Sequence, residues 1–308
     1  MSSILVTGGA GFIGSHFVEY LFENSQIENV IVVDKLTYAG TWENLSHIEN
    51  RNSLDLIQGD INDDHLMDSI IKNVEYVVNF AAETHVDRSI SNPKPFIISN
   101  VLGAQNIFDS CLKHNKRIVH ISTDEVYGSY SYGKANESSK LNPSSPYSAS
   151  KASADLIALS YFKTYGLNVS ITRCGNNYGV RQYPEKLIPF FIKKLKNQEL
   201  VTLYGNGLNE RDWVHVKDHC EGIFKVLTSG MAGSIYNIGD VEHYSNLEIT
   251  NMILNAMGIG KERIEFIEDR LGHDFRYAIN AEKITKELNW RPHNQLSNTL
   301  ANIIESIK

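Results

Sequence analysis

The stretch that most constrains this chain is its beginning. A short apolar strand, Ile4, Leu5 and Val6, runs into glycines at 8, 9, 11 and 14, and then into Phe17, Val18 and Leu21 at helical spacing. Strand, glycine turn and helix in that order read as the first unit of a parallel α/β sheet. Glycines let the backbone turn tightly and approach a pyrophosphate, which sits on the amide-rich positive end of the helix. Gly8, Gly11, Phe12, Ile13 and Gly14 are therefore candidate cofactor contacts.

The next buried strand, Val30 to Val33, ends in Asp34. That lies about 20 residues past the last glycine, where the ribose of a dinucleotide is expected. A carboxylate there accepts hydrogen bonds from both ribose hydroxyls and repels a 2′-phosphate, which favours NAD over NADP. Lys35 beside it either tolerates a phosphate or is a solvated surface lysine, and Leu36 completes the turn. Leu54 to Ile57 ends at Gly59 and Asp60, and Tyr76 to Phe80 ends at Ala81, Ala82, Glu83 and Thr84. Asp60 and Ile61 are placed to flank an adenine. The small Ala81 and Ala82 allow either a close cofactor or tight helix packing.

Pro95 to His114 reads as one long helix, leading into a strand, Ile118 to Ile121, that delivers Ser122, Thr123, Asp124 and Glu125 at its C-terminal end. Two adjacent carboxylates there are either a polar cap or a chemical pair. A second long helix, Tyr147 to Tyr165, opens after Pro146, and Val169 to Thr172 is a further strand. The first ~175 residues thus alternate strand and helix, and the expected fold class is α/β, a Rossmann-type doubly wound parallel sheet with a smaller mixed α/β lobe. After Arg173 the rhythm breaks at Pro184, Pro189 and an isolated strand, Leu200 to Tyr204. The expected division is residues 1–174 plus 207–240 for the dinucleotide domain and 175–206 plus 241–308 for the substrate lobe.

A formal net charge of −7 leaves no basic stripe for nucleic acid, so an anionic ligand must be held by local cations. No run approaches the roughly 18 apolar residues of a membrane span, and the first strand starts too early for a signal peptide, so a cytoplasmic protein is expected. Cys111, Cys174 and Cys220 are odd in number and widely spaced, as reduced thiols are. His215 and His219 stand at i, i+4 spacing without an evident third ligand, and no metal site is assigned.

Tyr147 and Lys151, four apart at a helix start, share one face. An ammonium near a phenol favours the phenolate, and a nicotinamide cation adds to that, so a tyrosine of ordinary pKa near ~10 becomes a usable base near neutrality. Lys151 can also hold a nicotinamide ribose.

GGAGFIGS at Gly8 to Ser15 and YSASK at Tyr147 to Lys151 resemble the extended short-chain dehydrogenase/reductase superfamily. STDEVYG at Ser122 to Gly128 narrows the resemblance to its nucleotide-sugar 4,6-dehydratases, in particular the branch acting on dTDP-glucose; the related 4-epimerases lack the Asp-Glu pair. AAETHVDRS (Ala81 to Ser89), NNYG (Asn176 to Gly179), PEKLIP (Pro184 to Pro189), RDW (Arg211 to Trp213) and DRLGHDFRYAI (Asp269 to Ile279) extend it to about residue 290.

The resemblance implies a lyase with retained NAD: oxidation at sugar C4, elimination of water across C5–C6 and hydride return to C6, giving a 4-keto-6-deoxy sugar. It implies Tyr147 as base at the C4 hydroxyl with Lys151 beside it, Thr123 orienting that hydroxyl, Glu125 as base at C5 and Asp124 as acid toward O6. Such a site needs one ionised and one protonated carboxyl. It also implies Thr84, Asn176, Lys186, Leu187, Tyr204, Arg211, Asn246, Arg270 and His273 as substrate contacts, and Ser99 and Asn177 near the cofactor. Arginines supply forked donors for a diphosphate. The two long helices of related enzymes pair as a four-helix bundle, so a homodimer is expected.

Val180 stands where related enzymes carry proline, Gly175 where serine is common, and the Ser129 to Pro143 loop is short. A UDP-sugar 4,6-dehydratase, a 4-epimerase and a non-catalytic NAD-sensing protein remain as alternatives.

Overall fold

The computed structural model describes residues 2–48, 51–269 and 272–307. Its strands are β1 (Ser3–Thr7), β2 (Asn29–Asp34), β3 (Leu54–Gln58), β4 (Tyr76–Asn79), β5 (Arg117–Thr123), β6 (Val169–Cys174), β7 (Asn176–Tyr178), β8 (Val201–Tyr204), β9 (Glu210–His215), β10 (Ile235–Ile238), β11 (Glu242–Ser245) and β12 (Ile264–Ile267). Seven of them form one parallel sheet in the order β10-β6-β5-β4-β1-β2-β3. The chain starts in the middle, builds outward through β3, then returns to β4 and builds the other way. A crevice opens where the direction reverses, outside the carboxyl ends of β1 and β4.

Alternate residues of each strand feed opposite faces, as a period of two requires. Ile4, Val6, Val78, Val119 and Ile121 pack on the Phe12–Asn24 and Val216–Ser229 helices through Phe17, Leu21, Cys220 and Ile223. Leu5, Val77 and Ile118 pack on the other face with Met67, Ile107, Phe108, Ala154 and Ala158. Both faces are covered, so the central strands β1 and β4 are largely apolar, while β5 and β6 bury Arg117, His120 and Arg173 as well.

The segment expected as one helix from Pro95 to His114 is interrupted. Lys94–Phe96 is α-helical, Ile97–Gly103 is π-helical, and Ala104–Lys113 is α-helical again. Two contacts account for the wider turn. A Cβ on Gly103 would lie 2.6 Å from Ile61 Cδ1, and the buried Asn100 amide bonds Glu83 N, Glu83 O and Ser150 Oγ at 2.8, 3.0 and 2.9 Å. An extra residue in the turn re-aims Asn100 inward.

The Pro146–Tyr165 helix starts with a serine capping box: Ser148 N donates to Ser145 Oγ at 3.1 Å and Ser145 N to Ser148 Oγ at 3.0 Å. Pro146 occupies the first turn, where its missing N–H costs nothing.

β7, β9 and β11 form a small mixed sheet, and β8 and β12 a parallel pair. Around them the Leu187–Lys196, Asn246–Met257 and Leu296–Ser306 helices bury Ile188, Phe191, Ile253 and Ile303 against Tyr178 and Trp213. The Ser129 to Pro143 loop is knitted to the C-terminal part of the chain: Tyr130 N donates to Arg276 O at 2.9 Å and Ala135 N to Ala278 O at 2.8 Å.

Candidate active site

A cavity of about 470 Å³ runs along the carboxyl edge of the large sheet, from the glycine turn to the Asp124–Glu125 turn. Gly8, at φ +69°, has no space for a side chain: a Cβ would lie 2.7 Å from Ala81 N. On Gly14 it would lie 2.3 Å from Gly8 O. Gly11 precedes a helix that no side chain caps and no acid opens, so its first amides are left for an anion. Gly8, Gly11, Phe12, Ile13 and Gly14 all line the cavity.

Asp34 lies at its rim and accepts from Ala10 N at 3.0 Å and Leu36 N at 2.8 Å. Burial pushes its carboxyl up, against those two donors. Lys35 is committed elsewhere, with Nζ 2.6 Å from Asp60 Oδ2. Burial raises the Asp60 carboxyl, but the Lys35 and Asn62 bonds outweigh it and hold the group below its ordinary range. A lysine so paired is not poised for a 2′-phosphate. Ile61, Ala81, Ala82 and Ser99 also line the cavity, Ser99 from the π-helical turn. The glycine cradle, uncapped helix and buried Asp34 together fit NAD.

At the other end of the cavity, the 122–125 turn is capped from within. Thr123 is the cap, its Oγ1 accepting from Glu125 N at 3.3 Å, and this leaves the Asp124 and Glu125 side chains on the cavity. Asp124 is 2% exposed; Thr123 Oγ1 donates to its Oδ1 at 3.2 Å, and its Oδ2 is buried without a hydrogen bond. Burial, then the charges of Glu125 and Asp212, push the Asp124 carboxyl well above the usual range, which favours its protonated form.

Tyr147 and Lys151 are buried in the same cavity, but their electrostatics differ from the sequence expectation. Lys151 Nζ donates to Ile121 O at 2.5 Å, and burial lowers its pKa to about 8. Burial and the charge of Glu125 raise the Tyr147 phenol well above its ordinary value, against a hydrogen bond with Thr123. A shared helix face does not fix where a lysine's ammonium points, and here it points to the strand. Without cofactor, Tyr147 is a neutral phenol.

Thr84, Asn176 and Lys186 line the cavity on the side of the small lobe, with Lys186 Nζ donating to Thr84 O at 3.2 Å. Leu187 begins the helix that follows. Asn177, also on the cavity, is fixed by His219 Nδ1 at 2.9 Å and by donation to Gly175 O at 3.1 Å. His215 accepts from Lys217 N at 3.3 Å, so the two histidines are a helix cap and a buried partner of Asn177.

Tyr204, Arg211, Asn246 and His273 lie outside the cavity lining. The Tyr204 and His273 rings stand 6.0 Å apart, edge to face. Arg211 lies over Tyr277 at 4.5 Å and donates to Glu210 O at 2.7 Å and Asp274 O at 3.1 Å. Asn246 opens its helix, its N–H donating to Asn209 O at 3.0 Å. Arg270 lies outside the described residues.

Four residues near the site had not been singled out. Asn100 fixes Glu83. Tyr183 packs on Tyr38 at 5.4 Å, both on the cavity. Tyr277 carries Arg211. Asp212, fully buried, accepts from Val241 N at 3.2 Å and raises Asp124. Asp212 also accounts for Gly175, where a Cβ would lie 2.7 Å from Asp212 O. The visible signal at Asn100 was a polar residue inside a largely apolar run; Asp212, which follows Asn209, Glu210 and Arg211, carried no such signal.

The family model described as GDP-mannose 4,6 dehydratase matches residues 5–303. A dTDP-glucose 4,6-dehydratase of Streptomyces antibioticus is 46% identical over 98% of this chain and 91% of its own length. The low-salt glycan biosynthesis protein Agl12 of Haloferax volcanii is 49% identical over 94% of this chain and 93% of its own. Among solved structures, DesIV, a dTDP-glucose 4,6-dehydratase of Streptomyces venezuelae with NAD and dTDP bound, superposes with a TM-score of 0.97 at 46% identity, covering 99% of this chain and 96% of that one. A UDP-glucose 4-epimerase of Thermotoga maritima reaches 0.91 at 28% identity, with 99% and 98% covered.

Proposed function

The chain belongs to the GDP-mannose 4,6-dehydratase family, and from that premise we propose that it removes water from dTDP-glucose to give dTDP-4-keto-6-deoxy-glucose, with NAD retained through the cycle. The observation that carries this reading is the pairing of a buried Asp124, its carboxyl pushed up by burial and by Glu125, with Glu125 itself in one cavity with Tyr147, Lys151 and the glycine cradle. The backbone alone does not discriminate, since an epimerase shares it. The acid pair does, because epimerisation at C4 needs no elimination.

Bound NAD supplies the hydride acceptor at C4 and the donor at C6. The rest falls to side chains. Thr123, already bonded to Tyr147 and Asp124, orients the C4 hydroxyl, and Tyr147 takes its proton once positive charge in the filled site offsets the burial that keeps the phenol neutral. The ketone then acidifies C5–H, which Glu125 removes as a proton. Asp124 gives its own proton to O6, so that water leaves, and Glu125 returns a proton to C5 when C6 is reduced. The net change is the loss of one water. For the nucleotide, the reading assigns Thr84, Asn176, Lys186, Leu187, Tyr204, Arg211, Asn246, Arg270 and His273, with Arg211 supplying a forked cation.

Incubation of the purified protein with dTDP-glucose and, separately, with UDP-glucose, without added NAD, tests reaction, nucleotide and retained cofactor together. The expected product, by mass and NMR, is the 4-keto-6-deoxy sugar from dTDP-glucose. The same product from UDP-glucose alone keeps the mechanism and overturns the nucleotide; a C4 epimer and no dehydration would overturn the mechanism.

The reading includes a homodimer. Leu102 and Leu156, 52% and 57% exposed, lie outward on two helices that pack side by side, and such an apolar face is what a symmetric helix bundle buries. Sedimentation is expected to give a dimer at micromolar concentration, and Leu156→Glu a monomer; a wild-type monomer would refute it. Among the described residues no helix is long and apolar enough to cross a membrane.

A further inference from the structure

One wall of the cavity comes from residues 180–186, which follow β7 and contribute Gln182, Tyr183 and Lys186 to the lining. This segment is fastened to the first domain on both sides of the cavity. Toward Thr84, Lys186 holds Thr84 O, Glu185 pairs with Arg88 and lies 3.3 Å from His85, and Tyr183 packs on Tyr38. At the other end the fastening is Arg181, which adopts φ +65°, a conformation residues with side chains seldom take.

Arg181 reaches the helix that carries the glycine cradle. Its Nη2 donates to Glu19 and, at 2.8 Å, to His16 Nδ1, while Nη1 meets His47 Nε2 at 3.0 Å. Since Arg181 only donates, His16 Nδ1 accepts, and its Nε2–H is left to donate to Val180 O at 2.9 Å. Burial first, then Arg181, lowers the His16 pKa to about 3, so this neutral tautomer persists. His16 and Glu19 lie on the helix whose start, Phe12 to Gly14, lines the cavity, and neither they nor Arg181 lines it. The departure at Val180, without proline's rigidity, is thus matched by a polar clasp.

We propose that Arg181 is a positioning residue for the cofactor, latching the 180–186 segment to the cradle helix through Glu19 and His16 so that NAD stays in its cavity between turnovers. The inference rests on the NAD reading above. Arg181 touches no reacting atom; it acts through the wall it holds, so its loss speeds release and leaves the chemical step in place.

The test compares wild type, Arg181→Gln and Glu19→Gln as full-length proteins. NAD per subunit is measured after denaturation, before and during repeated gel filtration, alongside KM for added NAD and kcat at saturating NAD. Arg181→Gln is expected to lose NAD roughly tenfold faster or more, with a raised KM for NAD and kcat kept. Should Arg181→Gln fail to fold, Glu19→Gln decides by the same change. NAD retained at the wild-type rate, or a fall in kcat with KM for NAD unchanged, overturns the latch. A wild type that neither carries nor takes up NAD refutes the cofactor reading itself, and does so without any variant.

Discussion

Glu125→Gln is expected to slow turnover by about 10²–10⁴-fold, the range a positioned general base contributes, while leaving oxidation at C4 intact. Glutamine keeps the side-chain volume and the backbone N–H that Thr123 caps, so the turn at Asp124 to Tyr127 should hold. What it removes is a base and a charge. The charge of Glu125 is one of the causes that raise both Tyr147 and Asp124, so without it the phenol moves down toward its ordinary value and deprotonates more readily. The first oxidation is then no harder than in the wild type, and the block falls at C5. With dTDP-glucose, reduced-nicotinamide absorbance should rise and persist, and exchange of the C5 hydrogen with deuterated solvent should be lost. Normal turnover with no such absorbance would remove Glu125 from the role of C5 base.

The parts of the site that could be read from sequence are those fixed by local geometry. A strand that ends in Asp34, a glycine turn that a Cβ would break, and Thr123, Asp124 and Glu125 placed at a strand end all follow from chain direction and short spacings. The parts that could not be read depend on what another element brings. The π-helical turn at Ile97–Gly103 exists because Ile61 and Glu83 stand opposite Gly103 and Asn100, and neither partner is near in sequence. Spacing placed Tyr147 and Lys151 on one helix face, but the destination of the ammonium was set by a carbonyl on β5, at Ile121. Asp212 acts on Asp124 only because the small sheet carries β9 up to the end of β6, where Gly175 leaves room for it. The residues assigned to the nucleotide are spread over the loop after β4, β7, the start of the Leu187–Lys196 helix, β8, β9, the start of the Asn246–Met257 helix and the segment at His273. Motif resemblance named them, but no spacing in the chain could have gathered them.

Asp124→Asn should be nearly inactive and should gain stability relative to the wild type as pH rises. Asparagine has no proton to give to O6, so elimination should fall by about 10²–10⁴-fold, as for loss of a general acid. Its stability effect follows from linkage. The folded-state carboxyl titrates well above the ordinary 3.8, so as pH rises past 3.8 the unfolded chain releases this proton while the folded protein keeps it. Stability of the wild type therefore falls with rising pH through that window, by about 1.4 kcal/mol per pH unit at most. The amide removes the whole term. It keeps an oxygen to accept from Thr123 Oγ1, but puts an NH2 where Oδ2 had no partner, which costs about 1–3 kcal/mol at every pH. The two contributions differ in pH dependence, which separates them. The melting temperature of the variant relative to wild type should rise as pH increases above about 4, starting from below the wild type at the acid end. A difference that shrinks as pH rises would mean that Asp124 is ionised in the fold, and the acid of the elimination would then have to be sought elsewhere in the cavity.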